Sequence, residues 1–172
     1  IASFMSNTDH RGKIIWFLVT ARPDLMPVDF KRQGRAEEHI ALFYPDTIAE
    51  NRELFQIMLR KTGLKNLDLG EVEDSFFEEL SVNSGAEMEA ALTRAKFRAA
   101  AEGADEVTID IIKAALADFL PPTYPMEIEL MNYAAVLECT SKALLPPKYA
   151  DMDRQEVVEQ VNSLKRQVEQ NM

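Results

Sequence analysis

Residues 84–103, SGAEMEAALTRAKFRAAAEG, carry the clearest helix signal in the chain. Ser84 and Glu87 have the spacing of a capping box, in which each side chain accepts a hydrogen bond from the other residue's backbone N–H. Gly103 follows at the position where a glycine commonly ends a helix. Between the two ends an apolar stripe recurs at helical spacing, formed by Met88, Leu92, Ala95 and Ala99. The stretch therefore predicts a helix that packs closely on a neighbour.

Helical patterns continue on both sides of this stretch. TIAENRELFQIMLRKTG, starting at residue 47, predicts a helix with Asp46 or Thr47 as its N-cap and Gly63 as its stop. LGEVEDSFFEELS predicts a short helix, and TIDIIKAALADFL predicts another with Thr108 as its cap. These patterns together predict a mainly α chain with four helices between residues 47 and 120.

A third region follows the double proline at residues 121 and 122. YPMEIELMNYAAVLECTSKALL and DMDRQEVVEQVNSLKRQVEQ predict two helices separated by PPK. In the second, four apolar residues step by four, three and four: Val157, Val161, Leu164 and Val168. Packing against the chain's own helices is the favoured interpretation of this seam, and a coiled coil with a partner is the alternative.

Short apolar runs replace the helical pattern before residue 47. IIWFLV, residues 14–19, favours β structure without alternation, which is typical of a strand covered on both faces of a parallel sheet. HIALFY, residues 39–44, predicts a second, weaker strand. Residues 1–46 are therefore predicted to be a small α/β part at the start of a mainly α chain.

Composition excludes several classes of function. The 172 residues include 19 basic and 29 acidic side chains, and the formal charge of -10 disfavours a nucleic-acid or anionic-membrane surface. Cys139 is the one cysteine, so a reducing cytoplasm is the expected compartment. The longest apolar run, residues 14–19, is too short to span a bilayer. With His10 and His39 far apart, no metal site is expected.

Three phrases occur in a fixed order: TARPD at residues 20–24, RQGR at residues 32–35 and SGAE at residues 84–87. This order, over roughly residues 12–120, resembles the C-terminal half of an ATPase module of the AAA clade, within the AAA+ superfamily. Members carry a threonine–asparagine–arginine–proline–aspartate phrase after the fourth core strand. They place two arginines around a glycine in the second region of homology, and a serine–glycine–alanine–aspartate phrase in a helical lid.

The resemblance implies an architecture and a function. Residues 1–46 would be the C-terminal remnant of the αβα core, residues 47–120 a four-helix lid, and residues 121–172 a helical extension. The full-length protein would bind and hydrolyse ATP with Mg²⁺ in a ring of identical subunits, expected to be a hexamer, and would remodel or unfold protein partners. A phosphate loop and an acidic strand are expected upstream of Ile1, so the chain alone is expected to be inactive. The alternative is a degenerate, non-catalytic helical scaffold.

Arg32 and Arg35 are the candidate catalytic arginines. By the resemblance, they reach across a subunit boundary to the γ-phosphate of the neighbour's nucleotide, where a planar guanidinium can neutralise developing charge. Gly34 would let the backbone turn so that both side chains face one way. The alternative is that both arginines pair with nearby carboxylates, those of Asp29, Glu37 and Glu38.

The lid phrase supplies the candidate nucleotide-binding residues. Gly85 and Ala86 have little or no side chain, so an adenine or ribose could approach the backbone closely. Leu54 and Met58, one turn apart on the first lid helix, are candidates for the apolar floor under the base. Both also fit an ordinary lid core, and the sequence leaves the two interpretations open.

Ala21 departs from the family pattern. The family's first sensor has an asparagine at this position, which orients the attacking water, and alanine cannot make that hydrogen bond. Thr20 is the candidate substitute through its hydroxyl. The departure leaves open whether hydrolysis is slow or the module is degenerate.

Overall fold

The structure is a computed structural model that describes residues 2–10, 12–32, 34–80, 82, 84–121 and 124–170. These residues form two compact units. One unit combines residues 1–43 with residues 124–172, and the other consists of residues 44–123. The assignment of a core remnant, a lid and an extension stays a prediction.

Helices make up most of the described structure. In chain order they are α1 (Ala2–Met5), α2 (Val28–Lys31), α3 (Ile48–Lys61), α4 (Asp74–Glu78), α5 (Gly85–Glu102), α6 (Ile109–Asp118), α7 (Pro125–Glu138), α8 (Pro147–Ala150) and α9 (Arg154–Gln170). Short 3₁₀ turns lie at Thr8–His10, Pro23–Leu25 and Lys142–Leu144. The prediction of a mainly α chain is confirmed.

The two long helices of the 44–123 unit begin at capping boxes. Thr47 Oγ1 accepts a hydrogen bond from the backbone N–H of Glu50 at 3.2 Å, and Glu50 Oε2 accepts from the N–H of Thr47 at 3.1 Å. Thr47, rather than Asp46, is therefore the N-cap of α3. Ser84 and Glu87 exchange the same pair of bonds, each 3.1 Å long, at the start of α5. The capping box predicted from the sequence is confirmed.

One apolar core holds the 44–123 unit together. Phe55 and Phe77 are completely buried, and Phe76 lies edge-on to both, with ring centroids 5.4 Å and 5.0 Å away. The apolar stripe of α5 faces this core, since Met88, Leu92 and Ala95 belong to it. Its buried members are Phe55, Leu59, Leu69, Val72, Phe77, Val82, Met88, Ala91, Leu92, Ala95, Ile112, Ala115, Leu116 and Phe119.

Helices α7 and α9 pack together in the other unit. Leu130 of α7 packs with Val161 and Leu164 of α9, and Val168 lies against the same cluster. Val157 is buried beside Val136 and Tyr149. The apolar seam of α9 is therefore covered by the chain's own helices, which confirms the favoured interpretation of its spacing.

The prediction of two strands before residue 47 is wrong. Residues 14–20 and 37–46 form neither helix nor strand, and the described residues contain no β-strand. Along 14–19 the exposure alternates: the even-numbered side chains are 36–41% exposed, and the odd-numbered ones are 81–94% exposed. The prediction that residues 14–19 are buried on both faces is therefore also wrong. A strand requires a hydrogen-bonded neighbour, and the described residues provide none for this run.

Candidate functional site

The predicted arginines lie on a turn that follows the short helix α2. Arg32 leaves the helical conformation at φ −74° and ψ 146°. Gly34 has φ +87°, in the left-handed region where a residue without Cβ is favoured. The backbone N–H of Arg35 closes the turn by donating to the carbonyl of Arg32 at 3.2 Å. Gln33 lies outside the described residues, and its neighbours define the turn.

Arg35 is engaged within its own unit. Its Nε donates to Oγ of Ser6 at 2.6 Å, and its Nη1 donates to the backbone carbonyl of Asp29 at 2.6 Å. The same Nη1 lies 3.7 Å from Oδ1 of Asp29, and the side chain is 23% exposed. The Arg35 guanidinium therefore joins α2 to the turn after α1.

Arg32 lies in a different environment, although it is close in sequence. Its side chain is 69% exposed, and Nη1 lies 3.6 Å from Oδ1 of Asp29, which is itself 63% exposed. An ion pair this exposed contributes little to stability, about 0–1 kcal/mol. Of these two arginines, Arg32 is thus the one whose guanidinium is more free to turn to an anion outside the unit.

Asp29 is the carboxylate that faces both arginines. Two other carboxylates proposed as partners are used differently. Glu37 Oε1 accepts from the backbone N–H of Gly34 at 2.7 Å, and Glu38 Oε2 accepts from the hydroxyl of Thr140 at 3.3 Å. Of the three carboxylates named in the pairing interpretation, Asp29 is therefore the one that lies beside the arginines.

The TARPD phrase forms a compact turn that is bonded to itself. Thr20 Oγ1 accepts from the backbone N–H of Arg22 at 2.9 Å. The Arg22 guanidinium donates two hydrogen bonds to the Asp24 carboxylate, from Nε to Oδ1 at 3.0 Å and from Nη2 to Oδ2 at 2.9 Å. That hydrogen bonding holds the pKa of Asp24 below its ordinary value, against the opposing effect of burial. Ala21 is exposed, and its methyl group offers no hydrogen bond.

An open, mostly apolar depression adjoins this turn. Its volume is about 420 Å³, and Thr20 and Arg22 are on its wall. The other lining residues are Phe17, Leu18, Val19, Leu25, Met26, Pro27 and Phe30. Thr20 is therefore placed beside apolar side chains, and its hydroxyl is already bonded to the turn.

The predicted nucleotide-binding residues lie in the 44–123 unit, and three of them touch. A Cβ built on Gly85 would lie 3.3 Å from Cε of Met58 and 3.8 Å from Cδ1 of Leu54. Ser84 is the N-cap of α5, so Gly85 is the first residue of this helix, and it lies against Leu54 and Met58 of α3. Ala86, the next residue, is exposed.

Leu54 and Met58 are half-buried, and both pack against the core of the unit. The ends of both side chains, Cδ1 of Leu54 and Cε of Met58, lie close to Gly85. Together they can form an apolar wall against a flat ring. Their packing contacts fit the core interpretation equally well, so both interpretations from the sequence stay open.

Sequence reasoning missed a polar cluster around the end of α7. Lys31 Nζ donates to Oε1 of Glu138 at 2.6 Å, although the two residues are 107 positions apart. His39 and Thr140 exchange hydrogen bonds nearby, and the His39 ring lies between two carbonyl groups. Lone polar residues so far apart give no local pattern, so no sequence signal could have found this cluster.

The described part of the chain has no group of three or more His, Cys, Asp and Glu side chains that could hold a metal ion. Its helices include none that is long and apolar enough to cross a bilayer.

Similarity to known proteins is low but extends over most of the chain. The chain is 32% identical over 113 residues to the proteasome-activating nucleotidase of Methanococcus vannielii, a match that spans 65% of this chain and 26% of that protein. It is also 32% identical over 114 residues to the proteasome-activating nucleotidase of Methanococcus maripaludis, spanning 66% and 26% of the two chains. The chain thus spans about a quarter of the length of the curated relatives it matches.

No family model and no solved structure matches the chain. The two nucleotidases are AAA ATPases, so their similarity agrees with the family that the three sequence phrases resemble.

Proposed function

We propose that this chain is the C-terminal part of an AAA ATPase. The full-length protein would bind and hydrolyse ATP in a cytoplasmic ring of identical subunits, a hexamer, and would remodel or unfold protein partners delivered directly or by adaptors. The observation that carries the proposal is the similarity, over 113 residues, to proteins named as nucleotidases. The order of the TARPD, RQGR and SGAE phrases supports the same family.

In this proposal Arg32 and Arg35 act on the nucleotide of the neighbouring subunit. A guanidinium at the γ-phosphate stabilises charge that develops during phosphoryl transfer. The exposure of Arg32 supports its outward role, since its pair with Asp29 is weak and open to solvent. Arg35 supports the turn through Ser6 and the Asp29 carbonyl. Arg35 would reach the phosphate only by leaving these partners.

The nucleotide itself would lie against the 44–123 unit of its own subunit. Gly85 and Ala86 leave the start of α5 open to an adenine or ribose, and Leu54 and Met58 supply an apolar wall. Their contact around Gly85 fits this role. The phosphates and Mg²⁺ would be held by a phosphate loop and an acidic strand upstream of Ile1, so the 172-residue chain is expected to bind ATP weakly and without turnover.

The test is a mixing experiment on the full-length protein. Arg32→Ala should bind ATP normally but hydrolyse it about 10³- to 10⁵-fold more slowly, as in hydrolases that lose an arginine finger. Mixing it with a variant whose phosphate-loop lysine is replaced should restore part of the activity, because some interfaces then combine an intact loop with intact arginines. Arg166→Ala, an exposed arginine on α9, is the matched control and should leave turnover unchanged.

Unchanged turnover in well-folded Arg32→Ala would overturn the role in the neighbour's site. The second candidate function is a non-catalytic scaffold, and Ala21 at the first-sensor position favours it. That candidate predicts a full-length wild-type protein that forms its assembly and binds its partners without hydrolysing ATP. Turnover of the wild type therefore separates the two functions before any variant is made.

A further inference from the structure

The carboxyl end of α7 holds the chain just before the arginine turn. Lys31 is the last residue of α2, and its Nζ donates to Oε1 of Glu138 at 2.6 Å and to the carbonyl of Pro23 at 3.0 Å. The Lys31 side chain is 18% exposed and that of Glu138 is 31% exposed. The pair is thus partly shielded from water, so its Coulomb attraction is screened less than that of an ion pair on the surface.

The same end of α7 also holds the chain just after the turn. The N–H of His39 donates to Oγ1 of Thr140 at 3.0 Å, and the N–H of Thr140 donates to the His39 carbonyl at 3.2 Å. Nδ1 of His39 lies 2.9 Å from the Glu138 carbonyl, and Nε2 lies 3.0 Å from the carbonyl of Ala36. Residues 138–140 therefore contact the chain on both sides of the arginines.

The stretch between these two attachments, residues 32–38, is here named the arginine segment. Both of its ends are fixed on one short stretch of chain, so the positions available to Arg32 and Arg35 are restricted. Helix α7 is itself fixed, because Leu130 packs with Val161 and Leu164 of α9. Both attachments that flank the arginine segment therefore lead to the C-terminal helix pair of its own unit.

We infer that Glu138 and Thr140 are positioning residues for the arginines. This inference rests on the proposed function, because it matters only if the arginines act on a nucleotide. Positioning has a large effect on such reactions, since a displacement of about 1 Å can lower a rate about 100-fold. Neither residue needs to touch the nucleotide for its loss to slow turnover.

The first experiment uses Glu138→Gln in the full-length protein. The amide keeps the size of the side chain but removes the charge that faces Lys31. We expect kcat to fall about 10- to 100-fold while ATP affinity stays within about twofold. Glu129→Gln, an exposed residue on the same helix, is the matched control and should leave both values unchanged. An unchanged kcat for Glu138→Gln would overturn the inference.

Two readouts separate positioning from a general loss of stability. Adding Glu138→Gln to a variant that carries both Arg32→Ala and Arg35→Ala should cause little further loss of turnover, since the arginines through which Glu138 acts are already gone. Mixing Glu138→Gln with the phosphate-loop variant should restore activity, because the defect lies in the neighbour's site. A further large loss when Glu138→Gln is added to the variant without both arginines, or no restoration of activity on mixing, would contradict positioning.

A second variant covers the case in which Glu138→Gln folds poorly. Thr140→Val removes the hydroxyl that accepts from His39 but keeps the shape of the side chain, and it should lower kcat in the same direction. Failure of this inference is distinct from failure of the proposed function. If Arg32→Ala turns over normally, the proposed function fails; if Arg32→Ala is slow while Glu138→Gln and Thr140→Val are normal, this inference alone fails.

Discussion

Gly85 and Met58 approach so closely that a Cβ added to the glycine would lie 3.3 Å from Cε of the methionine. This is tighter than ordinary van der Waals contact, so a side chain at Gly85 must displace the end of Met58. The methionine end is flexible and can move by a few tenths of an ångström at modest cost. The pair therefore couples the start of α5 to the side of α3.

The coupling gives a prediction for a double-mutant cycle. Gly85→Ala alone should leave the free energy of unfolding nearly unchanged, because the gain of helix-forming alanine is offset by the displaced methionine. In a Met58→Ala background the same substitution should stabilise by about 0.4–1 kcal/mol, since the obstruction is gone and alanine leaves the unfolded chain fewer conformations than glycine does. Urea unfolding followed by circular dichroism measures both values.

The neighbouring Ala86 provides the control for this cycle. It is exposed, so Ala86→Gly should destabilise by the same amount in both backgrounds. Equal effects of Gly85→Ala in the two backgrounds would show that the contact with Met58 carries no energy.

A second prediction concerns the aromatic cluster under α3. Phe55 is completely buried against Phe76 and Phe77, so Phe55→Ala should destabilise the 44–123 unit by about 3–5 kcal/mol. Phe97→Ala is the matched control, because Phe97 is 72% exposed on α5 and its loss leaves no cavity. Similar losses for the two variants in urea unfolding would be inconsistent with the core described above.

The helices could be predicted from the sequence because their signals are local. The Ser84–Glu87 box and the apolar stripe of α5 each lie within one helix, and a helix makes its own backbone hydrogen bonds. The apolar face of α9 could also be predicted, since the spacing of its apolar residues alone specifies that face. The structure agrees with the sequence at these elements for that reason.

The predictions that were wrong or could not be made concern structure that depends on residues far apart in the sequence. IIWFLV has a β-favouring composition, but a strand forms only where a neighbouring strand supplies hydrogen bonds, and composition does not report a neighbour. Likewise, nothing near Lys31 in sequence indicates Glu138, which is 107 residues away. In the candidate site, Leu54 and Met58 lie beside Gly85, but the sequence could not separate a core contact from a binding wall.

A third prediction follows from the pair formed by Arg22 and Asp24. The Asp24 side chain is 7% exposed, and the hydrogen-bonded guanidinium lowers its pKa in the folded state. A lowered folded-state pKa adds stability above the unfolded-state value of about 3.9, and this stability is lost as pH falls through the folded-state pKa. Asp24→Asn should therefore be less stable than the wild type at pH 7, and the difference should shrink in acid.

Trp16 provides the readout for that prediction. It is the one tryptophan of the sequence, and it lies edge-on to Phe4 in the same unit as Asp24. Urea unfolding followed by its fluorescence between pH 7 and pH 3 measures the stability of that unit. Asp151→Asn, an exposed aspartate of the same unit, should change little across this range. A constant difference between wild type and Asp24→Asn at every pH would contradict the effect of the charged pair.

The last prediction separates the two arginines by stability as well as turnover. Arg35→Ala removes hydrogen bonds of 2.6 Å to Ser6 and to the Asp29 carbonyl, so it should lower the free energy of unfolding by about 1–2 kcal/mol. Arg32→Ala removes one exposed ion pair and should change stability by less than about 0.5 kcal/mol. Under the proposed function, both variants should hydrolyse ATP slowly in the full-length protein.

The pairing interpretation makes a different forecast, because in it the arginines serve only Asp29. Asp29→Ala should then change the free energy of unfolding as the two arginine variants do. All three variants should keep normal turnover per folded subunit. The proposed role in the neighbour's site instead predicts slow turnover for both arginine variants, while Asp29→Ala keeps most of its turnover because the arginines remain. It also predicts that Arg32→Lys recovers little activity, because an ammonium cannot make the bidentate contact of a guanidinium. Specific activity and urea unfolding, measured for each variant, decide between the two interpretations. A well-folded Arg32→Lys variant with high turnover would count against bidentate recognition of phosphate.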